Sequence, residues 1–305
     1  MEEQGNALAP ESEDIGREDR MAFASESPTS NLDRKEHALR LRLASLGGLL
    51  VAYSGGTDSA FLAWSAHEVL GERMLAVLAD SPSLPRRELE LAIEFAEDWK
   101  IPLKVVATRE MDLAEYTQND PGRCFHCKNE LFTVLEKECE ELGLQYIAYG
   151  KNIDDEGDFR PGQRAAEQHS VLSPLTEAGL TKSEIRSLSE RAGLQIWNKP
   201  ASACLSSRIE YGRPVTREAL AAIEAGEDSL RELGFRQARV RHHGDIVRIE
   251  IAQEEFARAF SPEMAARLVP IFKKLGFKYV TLDCEGYRSG SMNDVLPIKQ
   301  IRMAN

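Results

Sequence analysis

Gly48-Leu49-Leu50-Val51-Ala52-Tyr53-Ser54-Gly55-Gly56-Thr57-Asp58-Ser59-Ala60 is the stretch whose reading decides the fold. Leu49 to Tyr53 is a short apolar run, as expected of a buried strand. Ser54 to Ser59 then turns the chain, and Ala60-Phe61-Leu62-Ala63-Trp64 opens a helix. Gly55 and Gly56 let backbone N–H groups come close to an anion, and the helix N-terminus adds unpaired donors and the positive end of its dipole. The hydroxyls of Ser54, Thr57 and Ser59 complete a turn suited to phosphate oxygens. A Walker A loop would need a Lys reaching the outer phosphates, and this stretch has none.

Ser-Gly-Gly-Thr-Asp-Ser after a first strand instead resembles the PP-loop of the ATP pyrophosphatases, which cleave ATP between the α- and β-phosphates and leave an adenylate on the substrate. The residues around it agree. Met74 to Ala79 reads as a second strand ending at Asp80, Leu103 to Ala107 as a third, and Tyr146 to Tyr149 as a fourth ending at Gly150. Val171 to Leu175 reads as a fifth element. Helical segments fall at 33–46, 86–99 and 131–142, and a capping box, Thr181-Lys182-Ser183-Glu184, opens another. Alternating strands and helices predict an α/β fold, a parallel sheet with helices on both faces. Ligands then sit at the carboxyl ends of the strands, where the turn, Asp80 and Gly150 all fall.

From residue 195 the pattern changes. Residues 195–213 lack periodicity; 216–233 reads as a helix, 236–242 and 246–251 as a hairpin, and 279–283 as a last strand. The expected organisation is an acidic, disordered extension over 1–30, an ATP-binding PP-loop domain over 31–194, a linker loop carrying a cysteine over 195–213, and a small α+β substrate-binding domain over 214–305.

The 305 residues carry a net charge of −12, which argues against a broad nucleic-acid surface. No apolar run approaches membrane-spanning length, and no signal core opens the chain, so a cytoplasmic protein is expected. Five cysteines, an odd number, point to reactive thiols or metal ligands rather than disulfides. Cys204 has small polar neighbours, with Lys199 and Arg208 near enough in sequence to favour a thiolate. Cys139 and Cys284 read as core residues. Arg239, Arg241 and His243 share one face of a strand, so the arginine pair could clamp a phosphate. The alternative is a charged, solvated face.

Ser54 to Ser59, Arg123-Cys124-Phe125-His126-Cys127-Lys128, Gly157-Asp158-Phe159-Arg160-Pro161-Gly162, Lys199 to Gly212 and Glu285 to Gly290 together resemble the LarE family over roughly residues 33–295. These are ATP-dependent sulfur insertases that adenylate a carboxylate of a pyridinium dicarboxylate mononucleotide and convert it to a thiocarboxylate, towards a nickel-pincer cofactor. The resemblance implies ATP and Mg²⁺ as cofactors, with Asp58 as the strongest candidate metal contact, and a small mononucleotide substrate. It also implies a homo-oligomer and neither a nucleic-acid nor a membrane partner. Cys204 matches the sulfur donor of members that sacrifice the side chain and become dehydroalanine. Cys124, Cys127 and Cys204 could instead hold three irons of a [4Fe–4S] cluster. Ser207 and Arg208 could join Arg239 and Arg241 at the substrate phosphate, and Glu227 and Glu250 form a weaker candidate metal pair. The rivals are a PP-loop tRNA thiolase, a ligase of the NAD or GMP synthetase type, and a non-enzymatic nucleotide sensor.

Overall fold

A computed structural model describes residues 30–156, 161–200, 203–288 and 291–292. Residues 1–29 of the extension expected over 1–30, the motif residues 157–160, Ala201, Ser202, Ser289 and Gly290, and the end of the chain from 293 lie outside them. Four strands form the first sheet: β1 (Leu49–Tyr53), β2 (Met74–Asp80), β3 (Leu103–Ala107) and β4 (Ile147–Tyr149). All pairs are parallel, in the order β3-β2-β1-β4.

Around this sheet run α1 (Asn31–Ala44), α2 (Thr57–Leu70), α3 (Arg86–Asp98), α4 (Ala114–Thr117), α5 (Arg123–Glu141), α6 (Pro161–Gln168), α7 (Pro174–Glu177) and α8 (Lys182–Arg191). Every residue of β1 is buried because both faces are covered. Leu49, Val51 and Tyr53 pack with α1, α2 and α8, while Leu50 and Ala52 pack with Phe132 and Leu135 of α5. The chain leaves β1 for β2 on one side and later returns to β4 on the other. This reversal opens a crevice at the strands' carboxyl ends, where open α/β sheets bind ligands.

The fifth element is not a strand. Leu172 makes one bridge to Ala148, and α7 begins at Pro174, which has no N–H to extend the ladder. A second sheet follows: β5 (Ala238–His243) antiparallel to β6 (Ile246–Ile251), which is parallel to β7 (Tyr279–Leu282). α9 (Arg217–Glu232), α10 (Phe256–Ala259) and α11 (Pro262–Lys274) cover it, with Leu220, Ile223, Leu230, Leu268 and Phe272 against Val240, Val247, Ile249 and Ile251. Cys139 is buried on α5 as expected, but Cys284 lies beyond β7 and is exposed. Among the described residues no helix is long and apolar enough to cross a membrane.

Candidate active site

Gly55 holds a φ of +71°, and a Cβ built there would lie 2.5 Å from the Ala92 Cβ, so both the turn and the packing of α3 demand glycine. The turn is stitched internally. The Ser54 N–H donates to Ser59 Oγ at 3.1 Å, and Ser59 Oγ donates to the Gly56 carbonyl at 3.0 Å. Gly56 caps α2 without a side chain. Gly150 enters differently: a Cβ there would lie 2.7 Å from Ser59 N and 2.9 Å from the Asp58 carbonyl carbon. The end of β4 therefore closes on the start of α2, and only hydrogen fits between them.

A cavity of about 470 Å³ opens over this turn, within the range of small-molecule sites. Ser54, Gly56, Thr57 and Asp58 line it, and so do Cys124, Cys127 and Cys204. Asp80 does not; its carboxylate turns to Arg86. Burial pushes the Asp58 carboxyl above its ordinary range, opposed by Lys182, whose Nζ lies 3.4 Å from Oδ2. Asp58 Oδ1 is buried with no hydrogen-bond partner. An orphaned carboxylate oxygen on a residue that lines a nucleotide-sized cavity fits a Mg²⁺ carried on phosphate oxygens. The acidic loop offers less: Asp154 accepts from the Lys182 N–H and Asp155 from the Asn152 N–H, so both serve as caps.

Cys204 sits just before a 3-10 turn, Leu205–Arg208. Burial alone would raise its thiol, but Arg123, the Ser206 hydroxyl, Arg208 and the Ser207 N–H together hold it below the ordinary thiol range. Arg123 is the strongest of these influences. It is buried at the first position of α5, donates to the Ser206 carbonyl at 2.8 Å, and is anchored by Asn119 Oδ1. Lys199, expected to acidify the thiol, instead donates to the Gly55 carbonyl at 3.0 Å and pairs with Glu88 at 2.8 Å. Burial moves the other two thiols upward, Cys127 to about 12. Among the described residues no three His, Cys, Asp or Glu side chains are arranged to hold a metal ion. The three thiols line one cavity without such an arrangement, which gives the cluster no support.

The arginine face of β5 and β6 is not an open solvated face: Arg241 and Glu250 are buried, and Arg239 and Arg248 are half-buried. Arg241 pairs with Glu250 at 2.7 Å, Arg248 reaches Glu250 at 3.2 Å and Asp283 at 3.0 Å, and Glu250 is fully buried. Arg208 binds Glu227 at 3.0 Å and the Cys204 carbonyl at 2.9 Å. Glu227 and Glu250 are thus both paired with arginines, which counts against the suggestion that they hold a metal. Arg241 also reaches the Ser207 carbonyl at 3.4 Å, so this charged cluster adjoins the cysteine turn. Arg239 lies over the Tyr287 ring, and burial and then Arg208 lower its affinity for its proton. With Arg241 Nε buried and unpartnered, this cluster still favours an anion. Ser207, Arg208, Arg239 and Arg241 stand outside the lining of the nucleotide-sized cavity.

Several cavity residues escaped the sequence reading. Lys182 and Arg186 line it from α8, and Ser81, Ser83 and Tyr116 from the far side. Asn119, in a left-handed conformation with φ of +57°, donates to the Glu210 and Arg213 carbonyls at 2.9 Å each. Its signal was the Asn119-Asp120-Pro121-Gly122 turn directly before Arg123.

A pyridinium-3,5-bisthiocarboxylic acid mononucleotide synthase of Lactiplantibacillus plantarum is 34% identical over 275 residues, covering 89% of this chain and 98% of its own. The chain belongs to that synthase family. An uncharacterized protein of a Synechocystis species is 42% identical, spanning 87% of this chain and 99% of its own. A GMP synthase of Aeropyrum pernix is 27% identical across 60% of this chain and 39% of its own length. No protein-family model matches. Membership of the synthase family accords with the parallel sheet and its Ser54–Ser59 turn, while likeness to GMP synthases spans only part of the chain.

Proposed function

We propose that the protein is an ATP-using sulfurtransferase that adenylates a carboxylate of pyridinium-3,5-dicarboxylic acid mononucleotide, releases pyrophosphate, and converts the carboxylate to a thiocarboxylate. The observation that carries this reading is that the Cys204 thiol and the Ser54–Ser59 turn line one cavity. A carboxylate is a poor electrophile until AMP makes its oxygen a leaving group, and an acidified thiol beside the nucleotide is then the nucleophile.

In this reading the backbone donors of the turn and the start of α2 hold phosphate, with Lys182 and Arg186 offsetting its charge. Asp58 would hold Mg²⁺, which when bound neutralises charge growing on the departing pyrophosphate. The carboxylate attacks the α-phosphorus and pyrophosphate leaves. The Cys204 thiolate then attacks the acyl adenylate, AMP leaves, and a thioester forms. Loss of the Cys204 Cα proton with cleavage of its Cβ–S bond leaves sulfur on the substrate and dehydroalanine at 204. The buried cluster of Arg208, Arg239 and Arg241 adjoining the cysteine turn would take the mononucleotide's phosphate. The net charge of −12 weighs against the tRNA thiolase alternative.

The test is turnover with ATP and the dicarboxylate mononucleotide. AMP, pyrophosphate and thiocarboxylate are expected, with the chain losing the mass of H₂S. Asp58→Ala should abolish pyrophosphate release while leaving the fold intact. ADP and orthophosphate as products would overturn the reading. Cys124→Ala and Cys127→Ala should each still complete one transfer; inactivity of both, with a brown anaerobic wild type, would move the sulfur source to an iron–sulfur cluster.

A further inference from the structure

Asn119 lies in the turn between α4 and α5, is fully buried, and does not line the cavity. Its backbone takes the left-handed conformation, with φ of +57°. Both ends of its side-chain amide are engaged. Nδ2 donates to the Glu210 and Arg213 carbonyls at 2.9 Å each, and Oδ1 accepts from Arg123 Nη1. The same Arg123 nitrogen donates to the Ser206 carbonyl at 2.8 Å. Main-chain bonds run alongside: the Gly212 N–H donates to the Asn119 carbonyl at 3.0 Å, and the Val215 N–H to the Thr117 carbonyl at 2.8 Å. Few residue types meet these demands. Gly takes a positive φ readily, and among residues with side chains Asn, Asp and His do so most often. Gly has no side chain, an ionised Asp has no donor, and a neutral His has one donor left once its other nitrogen accepts. Asn alone offers two N–H donors and an acceptor from that backbone.

We propose that Asn119 is a positioning residue for sulfur transfer, fixing the cysteine turn across the cavity by holding Glu210 and Arg213 and by aiming Arg123 at the Ser206 carbonyl. The inference rests on the function proposed above for Cys204. It adds which step depends on this residue. On one side of the thiol, the Leu205 N–H is tied to the Ser83 carbonyl at 2.8 Å. On the other, Asn119 grips the chain directly at Glu210 and Arg213 and indirectly, through Arg123, at Ser206. Adenylation belongs to the Ser54–Ser59 turn, whose own bonds do not include Asn119. Attack of sulfur on the acyl adenylate needs the thiol at the right distance and angle, and a misplacement of about 1 Å costs on the order of a hundredfold. Loss of the Asn119 amide therefore spares activation of the carboxylate and delays its capture, so that acyl adenylate is lost to water.

The test uses the full-length protein and joins a measurement without substrate to one in turnover. Asn119→Gly keeps the backbone conformation and the main-chain bonds but removes the amide. Asn119→Asp keeps the conformation and the oxygen facing Arg123, but sets a second oxygen against the Glu210 and Arg213 carbonyls. In hydrogen exchange without substrate, both variants should speed the amides of Ile209, Gly212 and Arg213 by about tenfold or more and leave the Ala60 amide, at the start of α2, unchanged. In turnover with ATP and the dicarboxylate mononucleotide, the KM for ATP and the rate of pyrophosphate release should stay within about twofold of wild type, while the pyrophosphate released per thiocarboxylate should rise about tenfold or more. A merely structural role would slow both steps together. Unchanged exchange at 209–213, or equal speeding at Ala60, would overturn the proposal whatever the activity shows. So would locally faster exchange with pyrophosphate and thiocarboxylate still formed in step. Locally faster exchange in a protein whose wild type makes no thiocarboxylate would leave the clamp on the cysteine turn standing and dismiss the assigned reaction instead.

Discussion

Arg123 sets the chemistry of Cys204. It is the strongest of the groups that oppose burial and hold the thiol below its ordinary range. Arg123→Met should therefore move the midpoint of Cys204 alkylation against pH upward. The sign follows from the thiolate being the reactive form: the wild-type midpoint lies below the ordinary thiol range, reactivity rises with pH through it, and removing the cation delays that rise. Arg123→Lys, which keeps the charge, should move it less. An unmoved midpoint in Arg123→Met would assign the acidity to Ser206 and Arg208 alone. The thiol was singled out in the sequence by its small neighbours, but its strongest partner was not, because Arg123 reaches it only through the fold and no local spacing announces that contact. Gly150 is the converse case. Its place at a strand end was readable, and the close approach to Ser59 gives the reason for glycine there. Gly150→Ala must displace the start of α2. Overpacking costs about 1–3 kcal/mol, so ATP affinity measured by calorimetry should fall by roughly tenfold or more. Wild-type affinity would show that the turn adapts.

The paired strands β5 and β6 carry an apolar face and a charged face that is largely closed to solvent. Val247, Ile249 and Ile251 pack apolar, while Arg241 and Glu250 are buried and Arg248 half-buried on the other side. Glu250 accepts from both arginines and from Ser291 at 2.7 Å. Glu250→Ala would leave those cations without it inside the protein. Breaking a buried pair in this way costs about 3–5 kcal/mol, to be read as a lower denaturant midpoint at constant slope. A loss below about 1 kcal/mol would class the pair with surface ion pairs, whose worth is small. The strands themselves were legible in the sequence through alternation, but whether their polar face meets solvent was not. Period-two patterning assigns residues to faces and says nothing of what covers each face. The lost fifth strand has a local cause in Pro174, whereas Cys284 follows the strand it was assigned to and falls outside the core.

On the scale of the whole molecule, the first sheet and the cysteine turn are fastened together across the cavity. Leu205 N–H donates to the Ser83 carbonyl at 2.8 Å, Thr57 Oγ1 to the Ile196 carbonyl at 3.0 Å, and Lys199 Nζ to the Gly55 carbonyl at 3.0 Å. The turn that would hold phosphate and the segment that carries the thiol therefore share one set of ties. A nucleotide seated on Ser54 to Ser59 should hold both. Binding to the native state alone stabilises it by about 2.7 kcal/mol at a hundredfold excess over Kd, and these ties direct part of that effect towards residues 203–208. Hydrogen exchange with and without Mg²⁺ and a non-hydrolysable ATP analogue measures it. The amides of Leu205, Ser207 and Ile209 should gain protection together with those at the start of α2, and Asp58→Ala should remove both gains. Protection confined to α2 would show that nucleotide binding and the cysteine turn are uncoupled, and the thiol would then have to be brought to the adenylate by the mononucleotide itself.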